Sequence, residues 1–302
     1  MIMSNYHNPV LLHESIDALA IKEDGVYVDV TFGGGGHSKE ILNRLGKNGK
    51  LFAFDQDPDA LENEIDDERF VLIPENFRYI SRFLRFHRIK KVDGILADLG
   101  VSSHQFDEAE RGFSTRFEGD LDMRMNQKSK KSAKEIINNY SEEQLAAILF
   151  AYGELRNSRK IARLIVHARG NKKIETSFQL KEALKTVLPK AKEHKILAQI
   201  FQAIRIEVNE ELEVLKEFLE QVPNLLNDEG RLSVISYHSL EDRLVKRFIR
   251  TGLFEGEPEK DVFGNSNEPL KKIGKLIIPN PEEIKINNRA RSAKLRIATL
   301  KI

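Results

Sequence analysis

The chain of 302 residues has no cysteine. Disulfides, thiolate zinc centres and cysteine nucleophiles are therefore excluded. No apolar run approaches the roughly 18 residues that a bilayer span requires. The residues before Pro9 lack a basic stretch followed by an apolar one, which argues against a secretory signal. A cytoplasmic location with no membrane partner is the expectation. His7, His13 and His238 do not have metal-ligand spacing, so no metal is expected to be required. There is no internal repeat and no long low-complexity segment.

With 40% hydrophobic and 31% charged residues, the composition suits one large or two ordinary domains with a proper core. The net charge of +1 hides an asymmetry. From Lys271 to Ile302 there are nine Lys/Arg against two Glu, a local +7 that leaves −6 for the remainder. A second basic run covers Arg78 to Lys91, with aromatic neighbours. Such local excess recruits phosphate backbones even at near-neutral global charge. The plainer alternative is a solvated helix face and an ordinary tail.

Strand-like runs recur at Val26–Thr31, Leu51–Asp55, Phe70–Pro74 and Val92–Leu99, separated by helical or helix-bearing stretches at Ser38–Leu45, Pro58–Ile65 and Phe77–Phe86. This alternation predicts a doubly wound α/β sheet with helices on both faces. After about Phe106 the pattern turns helical. Ser132-Ala-Lys-Glu135, Ser141-Glu-Glu-Gln144 and Thr176-Ser-Phe-Gln179 open helices. Leu155–Arg169 reads as an amphipathic helix stopped by Gly170, and Pro189 closes the next one. Strands return at Arg231–Tyr237 and Leu295–Leu300. The expected domains are 1–107, an inserted all-α domain 108–206, and 207–302 completing the α/β domain.

The most informative stretch is Val26-Tyr-Val-Asp-Val-Thr-Phe-Gly-Gly-Gly-Gly-His-Ser38: a strand, a glycine turn, then a helix. That order opens a nucleotide-binding sheet. The glycines are needed because the turn takes positive φ and its backbone must approach a ligand closely. A dinucleotide fingerprint wants a third glycine, but counting from Gly33 finds Ser38 there and from Gly34 finds Lys39. A dehydrogenase is thereby disfavoured. Asp29-x-Thr31-x-Gly33-x-Gly35 is nearer the acidic loop of S-adenosylmethionine-dependent methyltransferases. Asp55 ends the second strand about 20 residues further on, the spacing of a carboxylate that accepts ribose hydroxyls. Asp57, beside Pro58, is the better candidate for a helix cap. His37 opens the following helix, where its N–H and ring can face a ligand carboxylate. Asp98 ends the fourth strand, over the crevice where such sheets bind ligands.

Together these segments resemble the RsmH (MraW) family, S-adenosylmethionine-dependent methyltransferases of N4 of a cytidine in small-subunit ribosomal RNA. The resemblance runs nearly end to end. It includes His7-Asn-Pro-Val-Leu-Leu12, the Asp29–Ser38 loop, Phe54-Asp-Gln-Asp-Pro58 and Asp93-Gly-Ile-Leu-Ala-Asp-Leu-Gly-Val-Ser-Ser103. Arg111-Gly-Phe-Ser114, Leu121-Asp-Met-Arg-Met125, Tyr152-Gly-Glu154 and Phe201-Gln-Ala-Ile-Arg-Ile206 follow. Ser236-Tyr-His-Ser-Leu-Glu-Asp-Arg243 and Asn288-Arg-Ala-Arg-Ser-Ala-Lys-Leu-Arg296 complete it. The resemblance implies a Rossmann-like catalytic domain interrupted by a helical one. It also implies cofactor contacts at Gly35, Gly36, His37, Asp55, Phe77, Asp98 and Gln105.

There are two departures. His104 replaces a usual proline before Gln105, which predicts a looser turn there. Tyr237 stands where phenylalanine is usual, keeping the ring and adding a hydroxyl.

Asp98 is the candidate acceptor or orienter for the cytosine amine, with Ser102 and Ser103 as secondary contacts and no single general base assigned. The Asp/Ser-Pro-Pro-aromatic motif of DNA amino-methyltransferases is absent, Asp98-Leu-Gly-Val standing instead. An amine inside a base must be unpaired or flipped out to be reached. Phe113, Phe117, Arg124, Tyr237 and His238 are candidate platforms for it, with core packing or turn structure as their alternative. Arg289, Arg291 and Lys294 are candidate phosphate contacts, whereas Arg296 alternates within the last strand and reads as structural. The expected partner is 16S RNA, within the 30S subunit. A non-RNA acceptor, or a non-catalytic assembly role, is the competing reading. Monomer and homodimer stay open.

Overall fold

The computed structural model describes residues 9–259 and 268–301. His7 and Asn8 of the first resembling segment lie outside them. In chain order, α1 (Leu12–Ala18), β1 (Val26–Asp29), α2 (Gly36–Arg44) and β2 (Lys50–Phe54) come first. A 3-10 turn at Pro58–Asn63 leads to β3 (Phe70–Ile73), α3 (Ile80–Phe86) and β4 (Val92–Asp98). The helical stretch holds α4 (Ser103–Asp107), α5 (Ala133–Asn139), α6 (Glu142–Ala151), α7 (Ser158–Asn171), α8 (Ser177–Ala183) and α9 (Glu193–Asn209). The chain then continues through α10 (Glu211–Leu225), β5 (Leu226–Ser236), α11 (Ser239–Thr251), β6 (Leu270–Ile277), α12 (Pro281–Ile286) and β7 (Lys294–Leu300).

The strands form one sheet in the order β3-β2-β1-β4-β5-β7-β6. β1 to β5 pair in parallel, while β7 runs antiparallel to both β5 and β6. A dinucleotide-binding sheet has the order 3-2-1-4-5-6. The reversed strand between β5 and β6 is a second mark against that reading, beside the missing glycine.

Alternation along each strand explains why both faces are covered. Tyr27, Leu51, Ala53 and Leu96 enter one core with Ile16 and Ile41. Their neighbours Val28, Phe52, Phe54, Ile95 and Ala97 enter the other, against Phe218, Val222 and Phe248. Side chains of period two with apolar residues at both phases define a sheet buried on both sides. Each fully buried Leu, Ile or Phe contributes roughly 1.5–3 kcal/mol.

The sequence pattern leads one to expect only Leu295–Leu300 in the basic C-terminal stretch, yet β6 precedes it. β6 escapes a pattern search because most of its positions, including Lys271, Lys272 and Lys275, are exposed. Lysines on an edge strand discourage pairing with other chains. Part of the +7 segment is therefore sheet.

Contacts divide the chain into two compact units, residues through Gly100 together with those from Leu212, and Val101–Glu211. Sequence alone draws these limits at 107/108 and 206/207. The helical unit is longer at both ends because its own bonds extend there. Gln105 closes a capping box with Ser102, and Arg205 pairs with Glu211 at 2.8 Å. Its core gathers Ile136, Leu149, Ile161, Ile165, Ile200 and Ile204.

The boxes at Ser141–Gln144 and Thr176–Gln179 close in both directions, and Ser132 accepts from the Glu135 N–H. Gly170 does not stop its helix. α7 passes through it to Asn171 and ends where Lys172 turns extended, at φ −154°. Among the described residues no helix is long and apolar enough to cross a membrane.

Candidate active site

The glycine loop is held by the acid before it. Asp29, 1% exposed, accepts the Thr31 N–H through Oδ1 at 3.1 Å and the Ser38 hydroxyl through Oδ2 at 2.7 Å. Burial raises its pKa and these bonds oppose the rise. The side chain thus clamps the end of β1 to the start of α2. Between these anchors Gly33 and Gly35 take φ of 51° and 75°, as the turn requires. At Gly36 the need is packing, since a Cβ would come within 2.2 Å of the Pro9 ring.

The loop is bonded in turn to β2. The Gly33 N–H donates to Asp55 Oδ2 at 2.8 Å, and the Asp57 N–H to Oδ1 at 2.9 Å. Asp57 itself caps the Pro58 turn by accepting from Asp59, which separates the two acids' roles as their spacing predicts. Burial pushes the Asp55 carboxyl up to about 6, helped by the charges of Asp57 and Asp29 and opposed by the two N–H donors. A carboxylate oxygen with one donor has room for another, so the pair Oδ1/Oδ2 suits a vicinal diol. Phe77 follows β3, half-buried, its ring edge-on to Phe218 at 5.4 Å. Asn76 beside it donates to Gln56 Oε1 at 2.9 Å, tying the ends of β3 and β2.

Asp98 ends β4. Its N–H donates to Thr31 Oγ1 at 2.6 Å, and its Oδ1 accepts the Tyr237 hydroxyl at 2.8 Å. Oδ2 lies 3.8 Å from His37 Nδ1. Burial pushes this carboxyl too up to about 6, with His37 and Tyr237 opposing the rise and Asp29 and Glu241 adding to it. The His37 ring is turned inward. Its Nε2 sits 3.2 Å from the Val10 carbonyl, which only accepts, so Nε2 carries the hydrogen. Burial lowers the His37 pKa and favours the neutral ring, whose Nδ1 lone pair faces Asp98. The sequence placed the His37 ring toward a ligand carboxylate; here both ring nitrogens face protein atoms.

Asp55, Phe77 and Asp98 thus stand at the carboxyl ends of β2, β3 and β4. The Gly33–Gly36 turn leaves β1 among them. Strand order reverses between β1 and β4, which is where open α/β sheets hold ligands.

The other candidates make contacts of their own. His238 is the N-cap of α11: Nδ1 accepts from the Glu241 N–H at 3.4 Å, and Nε2 lies 3.1 Å from Glu241 Oε1. The alternative weighed for such residues, turn structure, describes it. Lys294 and Arg296 both pair with Asp242, at 3.3 and 2.7 Å. Arg291 is exposed on the 3-10 turn Asn288–Ser292, and Arg289 is half-buried beside it.

In the helical unit, Gln105 Oε1 accepts the Ser102 N–H at 3.0 Å, and the Ser102 hydroxyl accepts the Gln105 N–H at 3.2 Å. His104 therefore does not loosen this turn. Ser103 is the first residue of the helix so capped. Phe113 is buried in the core, against the platform role, while Phe117 is exposed. Arg124 is held by Asp122 at 2.5 and 3.0 Å and by the Ser129 carbonyl at 2.7 Å, which makes it a brace within its own loop.

Two contributors have bonds to Asp98 that the sequence did not assign. Thr31 lies inside the loop pattern, but its bond to Asp98 crosses 67 residues. Tyr237 is a candidate base platform in the sequence and a departure from the family's phenylalanine, but its hydroxyl reaches Asp98 across 139 residues.

A sequence model of the MraW methylase family matches residues 4–301. A Christiangramia forsetii protein named ribosomal RNA small subunit methyltransferase H is 69% identical over 298 residues, covering 99% of each chain. Its namesake in Flavobacterium johnsoniae is 68% identical over 293 residues, 97% of each. Another in Bacteroides fragilis is 55% identical over 299 residues, covering 99% of this chain and 98% of the relative.

Proposed function

The chain belongs to the MraW methylase family, and we propose that it methylates the N4 amine of one cytidine in the decoding region of 16S ribosomal RNA. The donor is S-adenosylmethionine, and the proposed acceptor is the RNA within the 30S subunit. The observation that carries this reading is the pair Asp55 and Asp98. They end strands on opposite sides of the glycine loop, and burial holds both near pH 6.

The residues fit this cofactor by their chemistry. Asp55 retains acceptor capacity for ribose hydroxyls. Phe77 is an aromatic surface suited to adenine. Gly35 caps α2 at a positive φ and carries no side chain, so the loop backbone can come close to a ligand. When bound, the cofactor supplies a methyl group already activated by its sulfonium.

The protein's own work is alignment, exclusion of water and handling of one proton. The cytosine amine is a weak nucleophile because its lone pair is delocalised into the ring. Asp98 Oδ2 accepts a hydrogen bond from that amine, favours its pyramidal form and takes the proton released as the new C–N bond forms. A carboxyl near pH 6 is ionised at neutral pH and yet basic enough for this role. The base must leave its stack to reach Asp98. Exposed Arg291 and the β6 lysines are proposed to hold the RNA backbone.

Methyl-labelled S-adenosylmethionine incubated with small subunits, and separately with free 16S RNA, both from cells lacking the enzyme, tests this. Label in the RNA of either acceptor supports the reading and identifies the substrate form. Cofactor binding without label in any RNA refutes it.

A further inference from the structure

Tyr237 lies one residue beyond β5 and is held at both ends. Its backbone N–H donates to Glu241 Oε2 at 2.9 Å, and its hydroxyl donates to Asp98 Oδ1 at 2.8 Å. Close to Gly100, its Cδ2 would lie 3.5 Å from a Cβ there. We infer that Tyr237 is a positioning residue for methyl transfer, its hydroxyl pinning Asp98 by Oδ1 so that Oδ2 is the oxygen presented to the amine.

The inference rests on the reading of Asp98 as the amine's acceptor. A carboxyl can rotate and exchange its oxygens; one oxygen fixed by a donor cannot. The bond is also directional in charge. Burial, followed by the charge of Asp98, keeps the tyrosine hydroxyl well above its ordinary range, so it remains a donor throughout the working pH.

The same bond bears on when Asp98 is ionised. Among the described residues, His37 from α2, Asp29 from β1, Glu241 from α11 and Tyr237 face this carboxyl. The two acids oppose ionisation. His37 favours it only in proportion to its charge, which burial suppresses. Tyr237 alone favours it without titrating. Phenylalanine at 237 would keep the ring and remove only this bond, leaving a working enzyme whose acid limb lies at higher pH.

The experiment compares wild type, Tyr237→Phe, Asp98→Asn and the double variant. Single-turnover methylation of small subunits is followed from pH 5.5 to 9, and S-adenosylmethionine affinity is measured alongside. A bond from a neutral donor to a charged acceptor corresponds to about one pH unit. Tyr237→Phe should therefore move the acid limb up by about that amount and slow the reaction about tenfold at low pH. The rate should recover to within about threefold by pH 8.5, with cofactor affinity changed less than about twofold. Asp98→Asn should be slow at every pH, and the double variant no slower. A Tyr237→Phe profile that overlays wild type, or a rate loss matched by an equal loss of cofactor affinity, overturns the positioning role while leaving Asp98 in place. A near-wild-type rate for Asp98→Asn removes the acceptor reading, and the inference with it.

Discussion

Thr31 Oγ1 accepts the Asp98 backbone N–H at 2.6 Å, so a side chain in the glycine loop sets the end of the fourth strand. The glycine loop and Asp98 are thereby one structural unit, since Asp29 fixes the Thr31 backbone in turn.

Thr31→Val keeps the shape and deletes the acceptor. The Asp98 N–H then loses its partner, at a cost of about 1–3 kcal/mol. We expect a lower thermal midpoint and a methylation rate down about tenfold or more, with Thr31→Ser restoring most of both. Calorimetry and single-turnover kinetics check this. An unchanged rate in the valine variant would separate the loop from the chemistry.

Asp55 should show its titration in cofactor binding. With the carboxyl near pH 6, it is ionised above that value and protonated below it. Affinity for S-adenosylmethionine at pH 5 should be about tenfold weaker than at pH 7.5. Asp55→Asn should be weak at both pH values and lose the dependence. Titration calorimetry reads this directly, and a pH-independent wild-type affinity contradicts it.

Burying the Asp98 carboxyl costs stability once it ionises. Its folded value near 6 lies above the unfolded value of about 4. The folded state therefore holds the proton more tightly. The stability this group contributes is complete below about pH 4 and is lost as pH rises through 6. Asp98→Asn should cut turnover by orders of magnitude and stabilise the cofactor-free protein at pH 8 by about 1–2 kcal/mol. At pH 4 it should give no gain. A variant destabilised at pH 8 would show that the carboxylate is not strained by its burial.

Arg291 lies exposed in the basic C-terminal segment, whereas Lys294 and Arg296 are paired with Asp242. Arg291→Ala should weaken RNA binding and reduce the slope of log affinity against log salt by about one. Arg296→Ala should lower the thermal midpoint more than it weakens RNA binding. Equal salt slopes for Arg291→Ala and wild type would place the phosphate contact elsewhere.

The legible parts of this fold are those whose signal is local. The βαβ alternation, the loop glycines, Pro58 and its Asp57 cap, and the boxes at Ser141 and Thr176 all lie within a few residues of their partners. Asp55 and Asp98 were legible because a strand end is a position in a pattern. β6 was not, because an edge strand with mostly exposed side chains has neither a continuous apolar run nor clean alternation. Long-range bonds were illegible in principle: nothing near Tyr237 announces Asp98, and nothing near Lys294 announces Asp242. His238 looked like a functional histidine in its motif, yet its ring is a helix cap, a role that Ser or Asn usually advertises.

The most direct measurement is nucleoside analysis of 16S RNA after reaction of the purified protein with S-adenosylmethionine and unmethylated small subunits. Digestion and mass spectrometry should find N4-methylcytidine at a single decoding-region position, present with wild type and absent with Asp98→Asn. A methyl group on another atom, on several scattered nucleotides, or equally abundant with Asp98→Asn would contradict the assignment.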